Sequence, residues 1–180
     1  MTAGGEVGEQ DFLYFAFGSN LDEARLHIHC PSARLVTIAR LTDHRLAFSI
    51  ESKNTWHGGV GDVLPAPGSE VWGVLWIIAG AESPALDDQE GVFRDPPAYR
   101  RYRVQVGTPA GDVVTCRAYQ VVAPDLNGIA PSPAYKDTIL RGARAVGLPP
   151  EYITRLEAIE DNGHLGGGPH HGPTSGPTAR

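Results

Sequence analysis

Two cysteines, Cys30 and Cys116, are too few and too far apart to supply the disulfide framework of a small secreted domain, so a reducing compartment is expected. The sequence is also short of positive charge. Its 15 Lys and Arg stand against 21 Asp and Glu, a net charge of −6. Nucleic-acid binding and attachment to an anionic membrane both draw on a basic face, and neither is expected here. Arg100, Arg101 and Arg103 form the one dense basic group, interleaved with Tyr99, Tyr102 and Val104 as the solvated positions of a strand would be. No stretch reaches the roughly 18 apolar residues of a membrane span. The first eleven residues are polar and acidic, without the basic start and apolar run of a signal peptide. A soluble, cytoplasmic protein follows as the expectation.

What is present is enough for one core: 180 residues, 41% of them apolar. Residues 1–11 read as a flexible N-terminus and residues 12–163 as one folded domain. From His164 the composition changes to HLGGGPHHGPTSGPTAR. Gly, Pro, Ser and Thr without apolar partners do not offset the entropy of ordering, so residues 164–180 are expected to stay unstructured. His170 and His171 lie in that tail without the further ligands a metal site needs.

Residues 12–123 are dominated by β-branched and aromatic runs: FLYFAF, ARLVTIAR, RLAFSI, VGDVL, EVWGVLWII, YRRYRVQV and VVTCRAYQVV. Turn formers at 65–69 and 109–112 separate them. Short helices are predicted at four places. One covers residues 21–29, with Asn20 as N-cap and Glu23 in capping-box position. A second begins at Ser83 and Pro84 and stops at Gly91, a third runs from Ser132 to about Gly147, and a fourth covers 151–159. Helices inserted among strands, rather than alternating with them, argue for an α+β fold with the sheet curled or closed around one core.

Two segments carry chemistry. In FGSN, residues 17–20, Gly18 permits close backbone approach, and successive amides entering a helix form a concavity for a carboxylate or an oxyanion. An ordinary strand-to-helix turn is the competing reading. In SPALDDQEGV, Leu86 is the large apolar residue and should point inward. Glu90, four residues on, shares its face, whereas Asp87 and Asp88 project elsewhere. A core-facing Glu without a partner has a raised pKa; an exposed Glu at a frayed helix end is the alternative. His27, His29 and Cys30 cluster in sequence, but only His27 and Cys30 share a helical face, and two ligands do not make a zinc site. Neither cysteine has a His and acid in nucleophile-activating spacing. His57 reads as a turn residue, and Trp56, Trp72 and Trp76 as core or interface.

LYFAFGSNL, NTWHGGV, EVWGVLW, LDDQEGV, TCRAY, PSPAYKDTILRGARAVGLPPEY and LEAIE, in this order over residues 12–161, together resemble the animal-type γ-glutamylcyclotransferases. The resemblance implies a mixed, largely closed sheet with flanking helices, a cavity at one end, a homodimer and no cofactor or metal. It places substrate binding on the backbone of Phe17, Gly18, Ser19 and Asn20, the general acid and base on Glu90, and cavity tyrosines on Tyr119 and Tyr135. Relatives usually carry Tyr where this chain has Phe17. The FRDPPAY stretch is longer than usual, which leaves Tyr99 without a clear counterpart.

The implied reaction closes a γ-glutamyl group into 5-oxoproline and releases the amine it carried. Turnover of γ-glutamylamines, or of a γ-glutamyl protecting group in biosynthesis, uses the same core chemistry and stays open. So does a silent relative that only binds a small acidic metabolite.

Overall fold

Alternate residues of the first strand face two different apolar clusters, and this alternation organises the molecule. The computed structural model describes residues 10–169. Residues 1–9 of the expected flexible N-terminus, and 170–180 with His170 and His171, lie outside the described residues. Strands β1 (Phe12–Ala16), β2 (Arg34–Ser52), β3 (Gly58–Ile78), β4 (Tyr99–Gly107) and β5 (Val113–Val121) form a closed barrel in the order β1-β3-β2-β4-β5. Every described pairing is antiparallel except β1 with β5, which run parallel where Tyr14 meets Arg117. The sheet is therefore mixed and closed, as the sequence implies.

Inside the barrel, Phe15 of β1, Leu41 of β2, Val63 and Val71 of β3, Val106 of β4 and Ala118 of β5 make one cluster. The opposite face of β1, with Tyr14 and Ala16, joins Val74, Trp76 and Ile78 of β3. The helices cover that face: α1 (Glu23–His27) through Leu26, α2 (Ser83–Gln89) through Leu86, α3 (Pro133–Val146) through Ile139 and Ala143, and α4 (Pro150–Glu157) through Leu156. Each such leucine or isoleucine side chain, fully buried, contributes about 1.5–3 kcal/mol.

Several local expectations are corrected. Two pairs of runs read as separate strands are continuous, ARLVTIAR with RLAFSI in β2 and VGDVL with EVWGVLWII in β3. The ladder slips instead of breaking: His44 pairs with Pro65 and Thr42 with Glu70, so Asp43 opposes the whole 66–69 excursion. Asp43, at φ 56°, holds that excursion by accepting the Gly68 N–H at 2.9 Å. The helix expected over 21–29 shrinks to Glu23–His27. Its N-cap is Asp22, whose carboxylate accepts the Arg25 N–H at 3.1 Å, so neither Asn20 nor Glu23 caps it. Ser83 is the first residue of α2 rather than its cap, and its hydroxyl accepts from Arg101 and Arg117 instead. The Ser132 cap and left-handed Gly147 stop of α3 are as predicted. The contacts also run past the boundary drawn before His164. The Gly168 N–H donates to the Thr55 carbonyl at 2.7 Å, and the His164 ring stacks on His57 with centroids 4.5 Å apart. Backbone donors and imidazole faces do there what apolar side chains do elsewhere.

Helix α3 packs against a 3₁₀ turn, Ser19–Leu21, that follows β1. Gly142 makes this approach possible. A Cβ at that position would sit 2.4 Å from the Asp22 nitrogen and the Leu21 carbonyl carbon, both backbone atoms that cannot rotate away. Gly142→Ala is expected to lower stability by about 2–3 kcal/mol, read by urea unfolding, despite the better helix propensity of alanine.

Candidate active site

Two adjoining hollows share Ser19, Glu90, Tyr99 and Tyr135. The inner one is bounded by Tyr14, the 17–20 loop, Gly61 and Tyr119. The outer one opens past Arg25, Ile50, Trp56, Val60 and Arg94.

Beside the inner hollow the 3₁₀ turn is closed by Leu21 N–H to the Gly18 carbonyl at 3.0 Å and Asp22 N–H to the Ser19 carbonyl at 3.1 Å. The amides of Gly18, Ser19 and Asn20, first in the turn, take no backbone partner among the described residues, and the Ser19 N–H donates to the Tyr135 hydroxyl instead. Asn20, almost fully buried, is turned away from capping and into the site. Its amide nitrogen donates to the Tyr14 hydroxyl at 3.0 Å and to Glu90 Oε1 at 3.2 Å, and its side-chain oxygen accepts from Gln89 at 3.0 Å. The Trp76 indole fixes the same residue from behind by donating to its carbonyl at 3.0 Å. Gly18 lies close under Tyr135, whose hydroxyl would stand 2.8 Å from a Cβ at position 18.

Glu90 occupies the last turn of α2, with its N–H on the Leu86 carbonyl at 3.0 Å. Gly91, at φ 68°, then reverses the chain, and its neighbours close the turn through Val92 N–H to the Asp87 carbonyl at 3.0 Å. That geometry turns the Glu90 carboxyl inward. Desolvation raises its pKa from 4.5 to about 7, against the opposing pull of Arg25 and the Asn20 hydrogen bond and with added repulsion from Asp87. The group keeps some contact with solvent through the cavity mouth.

Asp87 corrects the helical reading of this segment. It is buried, and it accepts from the Tyr119 hydroxyl at 2.7 Å and from Arg101 through Nε at 3.0 Å and Nη2 at 2.5 Å. Burial alone would push its pKa up, but these donors hold it below the ordinary carboxylate value. The inward face of α2 is thus Ser83, Leu86 and Asp87, extended by Glu90. This is an i, i+3, i+4, i+7 stripe in which the polar members are as internal as the leucine. Arg101 accordingly is not a purely solvated strand position.

Of the predicted site residues, Gly18, Ser19, Asn20, Glu90, Tyr119 and Tyr135 come together around the inner hollow. Phe17 borders it too, while its ring packs with Phe15 in the barrel interior, centroids 6.2 Å apart. The Tyr135 hydroxyl accepts the Gly61 N–H at 2.9 Å, and burial pushes its pKa up to about 12. Tyr99, despite the longer FRDPPAY stretch, also reaches the cavity and donates to the Gly61 carbonyl at 2.7 Å. Tyr14, Arg25 and Trp56 are site residues that the sequence reading did not single out as such. A tyrosine in an otherwise apolar strand is the signal for Tyr14, because a buried phenol needs a partner. His27 ends in a local contact, its Nε2 2.9 Å from the Ala33 carbonyl oxygen.

A carboxyl poised near neutrality, facing a glycine-containing turn and four phenols in a small cavity, fits an acid–base enzyme for a small polar molecule. Residues 70–156 match the AIG2-like family. Human gamma-glutamylcyclotransferase is 42% identical over 88% of this chain and 84% of its own length. The bovine gamma-glutamylcyclotransferase is likewise 42% identical, over 87% of this chain and 83% of its own. A solved gamma-glutamyl cyclotransferase superposes with a TM-score of 0.82 at 41% identity, covering 89% of this chain and 94% of the other. The chain belongs to the γ-glutamylcyclotransferase family.

Proposed function

We propose that this γ-glutamylcyclotransferase converts γ-glutamyl amino acids to 5-oxoproline and the free amino acid, with Glu90 as the base and then the acid. The carrying observation is the Glu90 carboxyl turned into the cavity beside the 18–20 turn, with its pKa raised to about 7.

In the substrate, the α-amino nitrogen attacks its own γ-carbonyl carbon; a five-membered lactam C–N bond forms, and the bond to the leaving nitrogen breaks. No water or cofactor enters the balance. Well-oriented intramolecular reactions gain effective molarities of about 10⁵ M or more, roughly 7 kcal/mol of barrier. The inner hollow holds the chain folded for that attack. An ammonium cannot attack, so its proton passes to Glu90 and then to the leaving nitrogen. An ordinary Glu lies about 3.5 pKa units below an α-amine, a mismatch of roughly 5 kcal/mol. At about 7, Glu90 reduces the gap to roughly one unit. The 18–20 amides offer their hydrogens to an anionic oxygen of the substrate.

The expected pH dependence follows from the sign of that shift. A base with a raised pKa is unprotonated only above it, so kcat/KM should climb as pH rises through about 7. It should fall again above about 8 as the free substrate loses its ammonium proton. Mass-spectrometric detection of 5-oxoproline from γ-glutamyl-alanine across pH 5–10 tests this. An acid limb near 4.5, or no product at any pH, overturns the assignment.

A homodimer and a cytoplasmic setting belong to the same proposal. The family resemblance supports the first, and two free, buried thiols at Cys30 and Cys116 fit a reducing compartment. Among the described residues no helix is long and apolar enough to cross a membrane.

A further inference from the structure

The outer hollow, which Glu51 and Glu90 also line, contains a cation that is in no ion pair among the described residues. Arg25, on α1, is partly buried; its Nε is shielded from solvent and has no hydrogen-bond partner among the described residues. Among the described residues no carboxylate lies within ion-pair distance of its guanidinium, which sits over the Trp56 ring with its carbon 5.8 Å from the centroid. Trp56 in turn stands edge-on to Tyr135, centroids 4.9 Å apart, so the arginine is braced against the wall that the two hollows share. Glu90 is close enough to act on Arg25 through space but does not bond to it. A shielded guanidinium with unpaired donors is costly to hold unless a ligand completes it.

The position defines that ligand. The inner hollow is lined by phenols, amides and Glu90, without a cation, and takes the γ-glutamyl end. The leaving nitrogen then points from Glu90 toward the outer hollow, where Arg25 and Arg94 are the basic groups. Arg94 is exposed on the loop after Gly91 and free to follow solvent, whereas Arg25 is held by Trp56. We propose that Arg25 binds the α-carboxylate of the departing amino acid, making it the residue that selects γ-glutamyl amino acids over γ-glutamylamines. This rests on the cyclotransferase reading above. It also gives Arg25 a constant counter-ion: when Glu90 is neutralised by the ammonium proton, the substrate carboxylate still faces the guanidinium.

The test compares γ-glutamyl-alanine with γ-glutamyl-ethylamine, which lacks only the leaving-side carboxylate, in the wild type, Arg25→Gln and Arg25→Lys. In the wild type, kcat/KM should favour the alanine substrate by at least about tenfold, mainly through KM. Arg25→Gln should collapse that preference by about 10- to 100-fold, and Arg25→Lys should restore part of it. Equal losses on both substrates, or a displaced acid limb with the preference intact, would mean that Arg25 acts through Glu90, and the carboxylate subsite is then wrong. A wild type without preference between the two substrates overturns it even if Arg25→Gln fails to fold. Absence of 5-oxoproline from both substrates in the wild type is a different result, since it removes the cyclotransferase reading itself.

Discussion

Glu90→Gln is expected to leave a folded protein whose rate of 5-oxoproline formation is lower by about 10³-fold, within the 10²–10⁴ that a positioned acid–base group supplies. Glutamine preserves the volume and can still accept from the Asn20 amide at the position where Glu90 Oε1 does so at 3.2 Å. What it loses is the ability to carry a proton between two nitrogens. The inner hollow and the 18–20 amides remain, so some acceleration by orientation alone should persist. Stability should move the opposite way from activity. A carboxyl whose pKa is raised from 4.5 to about 7 binds its proton more tightly in the folded state. Wild-type stability therefore falls as pH rises across that window. The glutamine variant lacks this loss and should be more stable at pH 8 by on the order of 2 kcal/mol, allowing for the solvent contact at the cavity mouth. Urea denaturation of both proteins at pH 4 and pH 8 measures the difference. A turnover within tenfold of wild type would remove Glu90 from the mechanism.

The parts of the molecule legible in its sequence are those whose cause is local. Ser132, Pro133 and Gly147 mark α3 because a cap, an N1 proline and a left-handed stop each act within a few residues. The aromatic run FLYFA marks a strand, and Leu86 with Glu90 shows which side of α2 turns inward. Asn20 was ambiguous in a different way. The same side-chain oxygen that suits an N-cap also suits a bond to Gln89, and only the presence of Asp22 two residues later decides which occurs.

What the sequence hides is set by distant partners. The Asn20–Glu90 bond spans 70 residues and the Gly61–Tyr135 bond 74. Asp87 looks solvent-directed when only apolar residues are counted as internal, because the Arg101 and Tyr119 that make it internal belong to β4 and β5. The same holds for Arg25 and Trp56, which are unremarkable in sequence and meet only when α1 and the segment before β3 close the outer hollow. The turn formers at 65–69 point to a chain reversal that the ladder absorbs as an excursion, since Asp43 supplies the missing partner from across the sheet.

Asp87 is expected to be the most sensitive side chain of α2 for stability, and its replacement should also reach the chemistry. Asp87→Ala strips the Tyr119 hydroxyl, in a residue 2% exposed, of its acceptor and Arg101 of a paired carboxylate. Truncating one partner of a fully buried pair costs about 3–5 kcal/mol; Arg101 is half-exposed and can turn to water, so a loss of about 2–4 kcal/mol is expected. Asp87→Asn keeps an acceptor for Tyr119 and should lose less. Because the Asp87 pKa is held below its ordinary 3.8, the carboxylate stabilises the fold above that pH and loses the contribution in stronger acid. The gap between wild type and Asp87→Asn should then narrow as urea midpoints are taken from pH 7 down to pH 3. The same substitution removes a negative charge that helps hold the Glu90 pKa up, so the acid limb of kcat/KM should shift toward lower pH. A purely structural role for Asp87 would lower stability and leave that limb in place.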